Sequence, residues 1–380
     1  MTISLLSLFI WLGLLLFWGK FWLGVRLSPQ KATLDSYPNV WAIIPARDEA
    51  EVIASSLASV LEQDYPGNLA VVLVDDNSSD NTSSVARQTA NRLNKTAQFH
   101  LISGQPLPSG WKGKLWALSQ GIDYVSQQNL TPDYFLLTDA DIKQDCSNVT
   151  QLISLGETED LDLVSLMVLL RCESVWEKLL IPAFVFFFQQ LYPFKLANNP
   201  QSKIAAAAGG CILIKATMLE KIGGIASVKD ALIDDCTLAK KVKSNGGKIW
   251  LGLSQTTISL RPYDSLKSIW DMVARTAFNQ LNYSWLLLIG TVFGLVLVYL
   301  VPPLALIGGI FQQNITLLII GGTTWCLMSL AYFPTIKLYQ LSPLWSFVLP
   351  LIAFFYGLMT IDSAIQHLQG KGGFWKGRVY

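Results

Sequence analysis

Tyr134-Phe135-Leu136-Leu137 runs through Thr138 into two aspartates one residue apart, Asp139 and Asp141. A short apolar run of this kind reads as a buried strand. In an open α/β sheet, ligands lie in the crevice beyond the carboxyl ends of the strands, and the two aspartates fall there. Side chains at i and i+2 of extended chain point the same way. Two carboxylates held that close repel unless a cation sits beside them. Mg²⁺ and Mn²⁺ typically take one or two protein carboxylates and complete their shell with phosphate oxygens and water. Asp139 and Asp141 are therefore candidate ligands for Mg²⁺ or Mn²⁺ carrying a diphosphate. The alternative is a surface turn with two solvated aspartates.

The same pattern recurs along the chain. Val40 to Ile44 ends in Pro45-Ala46-Arg47-Asp48-Glu49, and Val71 to Val74 ends in Asp75-Asp76. Helical periodicity follows over 49–63 and 113–125, and again near 147–156 before a strand at 161–170. Alternating strand and helix predicts an α/β, mostly parallel, doubly wound sheet with right-handed crossovers. Parallel strands put all three polar ends on one edge. Helix capping by Ser79 or Asp80, and by Asp48, accounts for some of these acids but not for acids at three strand ends. Asp234-Asp235 opens another helix, with Lys240, Lys241 and Lys243 towards its end, as the helix dipole favours. Gly246-Gly247 stops it. Gly209-Gly210 reads as a tight turn or a close approach for a ligand. There is no GxGxxG after the first strand and no GxxxxGK[ST], which disfavours a dinucleotide fold and a P-loop kinase.

Charged residues make up 14% of the chain, against roughly 25% in soluble domains. Mean hydropathy is +0.39, so part of the chain is expected in lipid. Ile3 to Leu23 is long enough to span and predicts an uncleaved anchor over 1–26. Lys20, Arg26 and Lys31 on its C-terminal side place the chain beyond them in the cytoplasm. A soluble α/β domain is then expected over 38–262. The apolar segment Leu179 to Phe188 suits a buried or interfacial helix. Leu266, Ile269, Trp270, Val273, Ala277 and Leu281 mark an amphipathic helix over 263–283. Trp285 to Leu306, Ile315 to Phe333 and Leu344 to Ile361 predict about three spans within 284–363, the first broken or kinked at Pro302-Pro303. The tail, 364–380, carries Lys371, Lys376 and Arg378. Those charges prefer the inside, whereas an anchor plus three spans would leave the tail outside. The formal net charge of +1 suggests no nucleic-acid partner. Five cysteines without a CxxC pair fit reduced, packed thiols, and two histidines make a histidine-rich zinc site improbable.

Taken together, these segments resemble the family 2 glycosyltransferases of GT-A fold over roughly residues 38–283. Ile44 to Glu49 stands where that family has its first nucleotide-contacting loop, so Pro45, Arg47, Asp48 and Glu49 are implied donor contacts. Val74 to Thr82 is similar to the second-strand motif, in which Asp76 would meet the base. Gly113-Lys114-Leu115-Trp116 matches the helix start that places Lys114 near the diphosphate or sugar. Asp139-Ala140-Asp141 corresponds to the metal motif. Asp234-Asp235-Cys236-Thr237-Leu238 corresponds to the acidic pair whose second member, Asp235, is the implied general base. The membrane layout resembles the hopene-associated branch. Arg275 is kept from the QxxRW motif near the membrane, but the glutamine and tryptophan are not. That departure weighs against a polymer-making synthase; Trp270 is a possible spatial substitute.

The resemblance implies an inverting transfer from a nucleotide-diphosphate sugar to a membrane lipid acceptor, a hopanoid-type lipid being one candidate. Asp139 and Asp141 would hold the cation, Asp235 would deprotonate the acceptor hydroxyl beside Asp234, and Arg275 would clamp the leaving diphosphate. The implied setting is an integral, multi-pass protein of a bacterial inner membrane with its catalytic domain in the cytoplasm. The rival readings are a processive polysaccharide synthase and a non-catalytic membrane protein that holds nucleotide sugar.

Overall fold

The computed structural model describes residues 1–27, 34, 36–128 and 131–370. Lys31 and the basic tail residues Lys371, Lys376 and Arg378 lie outside the described residues. The chain forms two compact units. One comprises Val25–Arg171 and Leu196–Arg261; the other comprises Met1–Gly24, Cys172–Lys195 and the chain from Pro262 onwards.

The first unit is built on one eight-stranded sheet: β1 (Val40–Ala46), β2 (Leu69–Asp75), β3 (Phe99–Ser103), β4 (Tyr134–Thr138), β5 (Ile142–Lys143), β6 (Leu163–Leu169), β7 (Cys211–Lys215) and β8 (Ile249–Ser259). The order is β3-β2-β1-β4-β7-β6-β8-β5. β3, β2, β1 and β4 run parallel, β7 opposes β4 and β6, and the short β5 opposes β8. The expected mostly parallel α/β sheet is therefore present, with antiparallel exceptions in its second half. Pro45 does not end β1. It stays in the strand opposite Val74 and is buried.

Alternation along β1 sends its side chains to opposite faces. Val40, Ala42, Ile44 and Ala46 join one apolar core with Ile53, Leu57 and Val60 of the helix Ile53–Leu61. Trp41 and Ile43 join the other with Leu115 and Leu118 of the helix Gly113–Gln127 and Leu238 and Val242 of the helix Asp234–Ser244. Both faces are covered, which is why the strands read as unbroken apolar runs rather than alternating ones. Each fully buried aliphatic side chain contributes roughly 1.5–3 kcal/mol. Gly121 lets the Gly113–Gln127 helix settle on the sheet: a Cβ there would lie 2.5 Å from Ile43 Cγ2 and 3.1 Å from Val74 Cγ2.

The second unit is helical. Trp285–Phe311, Ile315–Leu338 and Pro343–Leu368 are each long and apolar enough to cross a membrane. At the N-terminus the helix is Thr2–Phe17, shorter than the expected run to Leu23. Gly19 and Lys20 adopt φ of 60° and 50°, a left-handed pair that an α-helix cannot absorb; a short 3₁₀ turn, Phe21–Leu23, follows. The helix Val175–Leu191 belongs to this unit. It starts with a capping box between Ser174 and Glu177 and buries Phe186 beside Phe21 and Tyr332.

Pro302-Pro303 acts as a local distortion rather than a break. The helix Trp285–Leu295 passes into a π-helical segment, Val296–Leu300, and resumes as Val301–Phe311. Proline has no N–H, so the carbonyl of Val298 loses the donor that residue 302 would supply. The buried indole of Trp11 donates to that carbonyl instead, at 2.8 Å. The amphipathic helix forms over Leu266–Gln280. Trp270 Nε1 donates to Asp362 Oδ2 at 2.8 Å, and the backbone N–H of Phe278 donates to Ser363 Oγ at 3.0 Å.

Candidate active site

Register fixes which groups share the sheet edge. Ala46 pairs with Asp75 across β1 and β2, and β4 runs parallel to β1, so the segments after all three strands emerge together. Cys211 opens β7 opposite Thr138, which brings Gly209 and Gly210 to the same edge. Ile142 pairs with Ser259, which brings the end of β8 beside Asp141.

The loops after β1 and β2 lock each other. Arg47 Nη1 donates to the carbonyl of Asp76 at 2.6 Å. The carboxylate of Asp48 accepts from the backbone N–H of Ser79 at 2.7 Å and from its hydroxyl at 3.0 Å. Those bonds, the Ser79 N–H foremost, hold the Asp48 carboxyl below its ordinary pKa. The N–H of Glu49 donates to Thr82 Oγ1 at 2.8 Å, and that of Ala50 to Asp80 Oδ2 at 3.0 Å. Asp48 and Asn77 both sit at positive φ, 51° and 55°, so the two turns hold backbone that non-glycine residues seldom adopt. Asp75 is drawn into this loop structure: it accepts from the N–H of Ser78 at 3.0 Å and from the Ser83 hydroxyl. Asp76 is 1% exposed, and its N–H donates to the carbonyl of Ala46 at 2.8 Å.

On the other side of β4 lies a hollow of ≈ 350 Å³, counting solvent at its mouth. Lys114, Thr138, Asp139, Gly209, Asp234 and Asp235 line it, with Leu115, Leu118, Leu137, Ile212 and Val228 among its apolar walls. Lys114 Nζ lies 2.7 Å from Asp139 Oδ1 and 3.7 Å from Asp234 Oδ2. Burial alone would lower the Lys114 ammonium, but the charges of Asp139, Asp234 and Asp235 outweigh it and hold it above the ordinary lysine value. Asp235 stands in the first turn of its helix, where an acid is favoured, and both its oxygens are held by backbone. Gly209 N–H donates to Oδ2 at 2.8 Å and Cys236 N–H to Oδ1 at 2.7 Å. Burial raises the Asp235 carboxyl and the Asp234 charge adds to that. Lys114 and the two N–H bonds draw it back, leaving it pushed up to about 6.

A buried polar chain steadies this region. The Thr138 hydroxyl donates to the carbonyl of Gly210 at 2.9 Å and accepts from Gln144 Nε2 at 2.9 Å. Strand β4, which delivers Asp139, is thereby tied to the Gly209-Gly210 turn.

Asp141 takes a different course from Asp139. Its Oδ2 accepts from Arg261 Nε at 2.7 Å, while Arg261 Nη2 donates to Glu49 Oε1 at 2.7 Å. Asp76 and Asp141 are not among the residues lining the hollow. Among the described residues no group of three or more His, Cys, Asp or Glu side chains could hold a metal ion. Two hard carboxylates, each already holding a cationic side chain, still suit an ion that draws its remaining ligands from a diphosphate. Sequence reasoning missed Arg261, because no motif spacing marks an arginine two residues beyond a strand. Arg275 is exposed on the helix Leu266–Gln280 of the helical unit.

The family model "Glycosyl transferase family 2" matches residues 41–223. No curated protein matches the chain. Among solved structures, the chain is similar to the mannosyltransferase PcManGT from Pyrobaculum calidifontis in complex with GDP-Man and Mn²⁺. Identity is 18%, the match covers 97% of this chain and 98% of that one, and the TM-score is 0.55. TarS 1-349 from S. aureus in complex with UDP-GlcNAc matches at 14% identity, 88% and 92% coverage and a TM-score of 0.42. Glucosyl-3-phosphoglycerate synthase from M. tuberculosis in complex with Mg²⁺ and UDP matches at 17% identity, 64% and 79% coverage and a TM-score of 0.38. The family match over residues 41–223 gives this glycosyltransferase a family 2 domain, and the fold, of GT-A type, is shared with PcManGT.

Proposed function

We propose that the protein moves a sugar from a nucleotide-diphosphate donor to a membrane lipid, with inversion at the anomeric carbon. The observation that carries this reading is the hollow shared by Lys114, Asp139, Asp234 and Asp235, beside loops that present Arg47, Asp76 and Glu49. Asp76 recognises the nucleoside, and Arg47, Asp48 and Glu49, just beyond Pro45 and the end of β1, shape the loop around it. Lys114 binds diphosphate or sugar oxygens as a fixed positive charge. Asp139 and Asp141 would hold Mg²⁺ or Mn²⁺, whose chemistry is to neutralise charge developing on the departing diphosphate. The solved mannosyltransferase complex with GDP-Man and Mn²⁺ supports a donor and cation of this class.

Asp235 takes the proton from the acceptor hydroxyl as that oxygen attacks the anomeric carbon. Its two backbone N–H bonds fix the carboxylate before the acceptor arrives, and a raised pKa strengthens it as a base. One displacement suffices, so no covalent sugar adduct forms on the protein.

Three helices able to cross a membrane support an integral, multi-pass protein and an acceptor drawn from the bilayer. Thr2–Phe17 adds an N-terminal anchor. The catalytic unit faces the cytoplasm, as the basic residues after that helix favour. A hopanoid-type acceptor rests on the resemblance in membrane layout. The test is to offer the purified protein GDP-mannose, UDP-glucose and UDP-GlcNAc, each with Mn²⁺ or Mg²⁺ and a bacterial lipid extract, and to follow lipid masses. A single hexose-sized gain on one lipid is expected. A ladder of added sugars would point to a synthase, and no gain with any donor would remove the reading.

A further inference from the structure

Arg261 joins two acids brought together from distant parts of the chain. Its guanidinium forks, with Nε on Asp141 Oδ2 and Nη2 on Glu49 Oε1, both at 2.7 Å. The side chains of Asp141 and Glu49 are 10% and 11% exposed, that of Arg261 34%. The backbone repeats the tie. Leu260 N–H donates to the carbonyl of Asp141 at 2.7 Å, and Ser259 pairs with Ile142. The segment carrying Arg261 is therefore fixed beside Asp141.

Two carboxylates this buried require positive charge nearby. Arg261 supplies it directly, on Oδ2 of Asp141. A guanidinium held on one oxygen of this carboxylate repels a divalent ion approaching the same group. A guanidinium also matches phosphate oxygens as well as it matches a carboxylate, so a diphosphate offers it another partner. Resting on the donor chemistry proposed above, we infer that Arg261 is the resident counter-cation of Asp141. It holds that carboxylate against a bare divalent ion and yields it to an ion that arrives with a diphosphate. The cation and the nucleotide then bind cooperatively through Arg261, and the coupling is the same in both directions.

The test measures Mn²⁺ binding to the full-length protein in detergent, by the electron paramagnetic resonance of free Mn²⁺, alone and with GDP or UDP. The proteins are the wild type, Arg261→Gln and Arg261→Lys. Without nucleotide, Arg261→Gln should bind Mn²⁺ roughly tenfold more tightly than the wild type, as loss of one charge-assisted competitor implies. Arg261→Lys should fall between them, because an ammonium cannot fork to both acids. Added nucleotide should tighten Mn²⁺ binding more in the wild type than in Arg261→Gln. Equal or weaker Mn²⁺ binding by Arg261→Gln would make Arg261 a structural clamp and overturn the inference. If circular dichroism shows Arg261→Gln unfolded, Arg261→Lys decides: affinity severalfold above the wild type supports the inference, and no gain overturns it. Wild-type protein that takes no Mn²⁺ with either nucleotide would remove the donor reading and the inference with it. Nucleotide-dependent Mn²⁺ binding that is the same in all three proteins would remove the inference alone.

Discussion

Gly209 donates its backbone N–H to Oδ2 of Asp235 at 2.8 Å, so the carboxylate assigned as base is aimed by a residue with no side chain. A Cβ at Gly209 would lie 3.0 Å from Lys114 Nζ and 3.4 Å from Asp235 Oδ2. Both are ends of side chains, so Gly209→Ala should fold with near-wild-type stability while displacing the lysine from beside the acid. Transfer should fall about tenfold, the scale expected for a shift of about 1 Å or less at the reacting groups. Turnover and thermal unfolding, measured together, check this; a loss of folding in step with activity would contradict it.

Asp235 also gives a pH signature. Its pKa in the folded protein, about 6, lies above the ordinary 3.8. The folded state therefore binds the proton more tightly than the unfolded state. This group's contribution to stability is greatest below about pH 4 and declines as pH rises to about 6. Asp235→Asn removes the decline, so its melting temperature relative to the wild type should rise between pH 4 and pH 7. Transfer by the wild type should rise through pH 6 as the base ionises. A melting difference that stays flat over this range would contradict the assignment.

Thr138→Val tests the tie between β4 and the Gly209-Gly210 turn. It leaves Gln144 Nε2 and the Gly210 carbonyl without the hydroxyl that joins them, which should destabilise by about 1–3 kcal/mol. Denaturant unfolding measures the loss. Thr138→Ser, which keeps the hydroxyl, should recover most of it.

In the helical unit, Trp11→Phe removes the donor that serves the Val298 carbonyl ahead of Pro302. The expected cost is about 1–3 kcal/mol, from an unmet carbonyl and a smaller ring. Thermal unfolding in detergent should show it, and a change confined to experimental scatter would mean that the π-helical turn needs no such partner.

Much of this was legible in the residues. Apolar runs ending in Asp75-Asp76 and in Asp139-Ala140-Asp141 announced β2 and β4 because strands buried on both faces leave no alternation to disguise them. The acid pair Asp234-Asp235 marked a helix start through the dipole. What stayed hidden depends on partners far away in sequence. Arg261 meets Asp141 and Glu49 only because β8 pairs with β5. Asp75 read as a strand-end acid and Asp48 as a helix cap, whereas Asp75 is tied to Ser78 and Ser83 and Asp48 bridges the two loops through Ser79. The N-terminal helix stops at Phe17 because Gly19 and Lys20 turn left-handed, a local choice that hydropathy does not record.

The central claim is that Asp235 is the base of a sugar transfer whose donor is held by the neighbouring acids and Lys114. The most direct measurement tracks Asp235→Asn under single-turnover conditions with the donor that the lipid assay identifies, reading donor binding and lipid product in the same samples. Donor affinity within a few-fold of the wild type, with transfer lowered at least a hundredfold, is the predicted result. Unimpaired transfer by Asp235→Asn would contradict it.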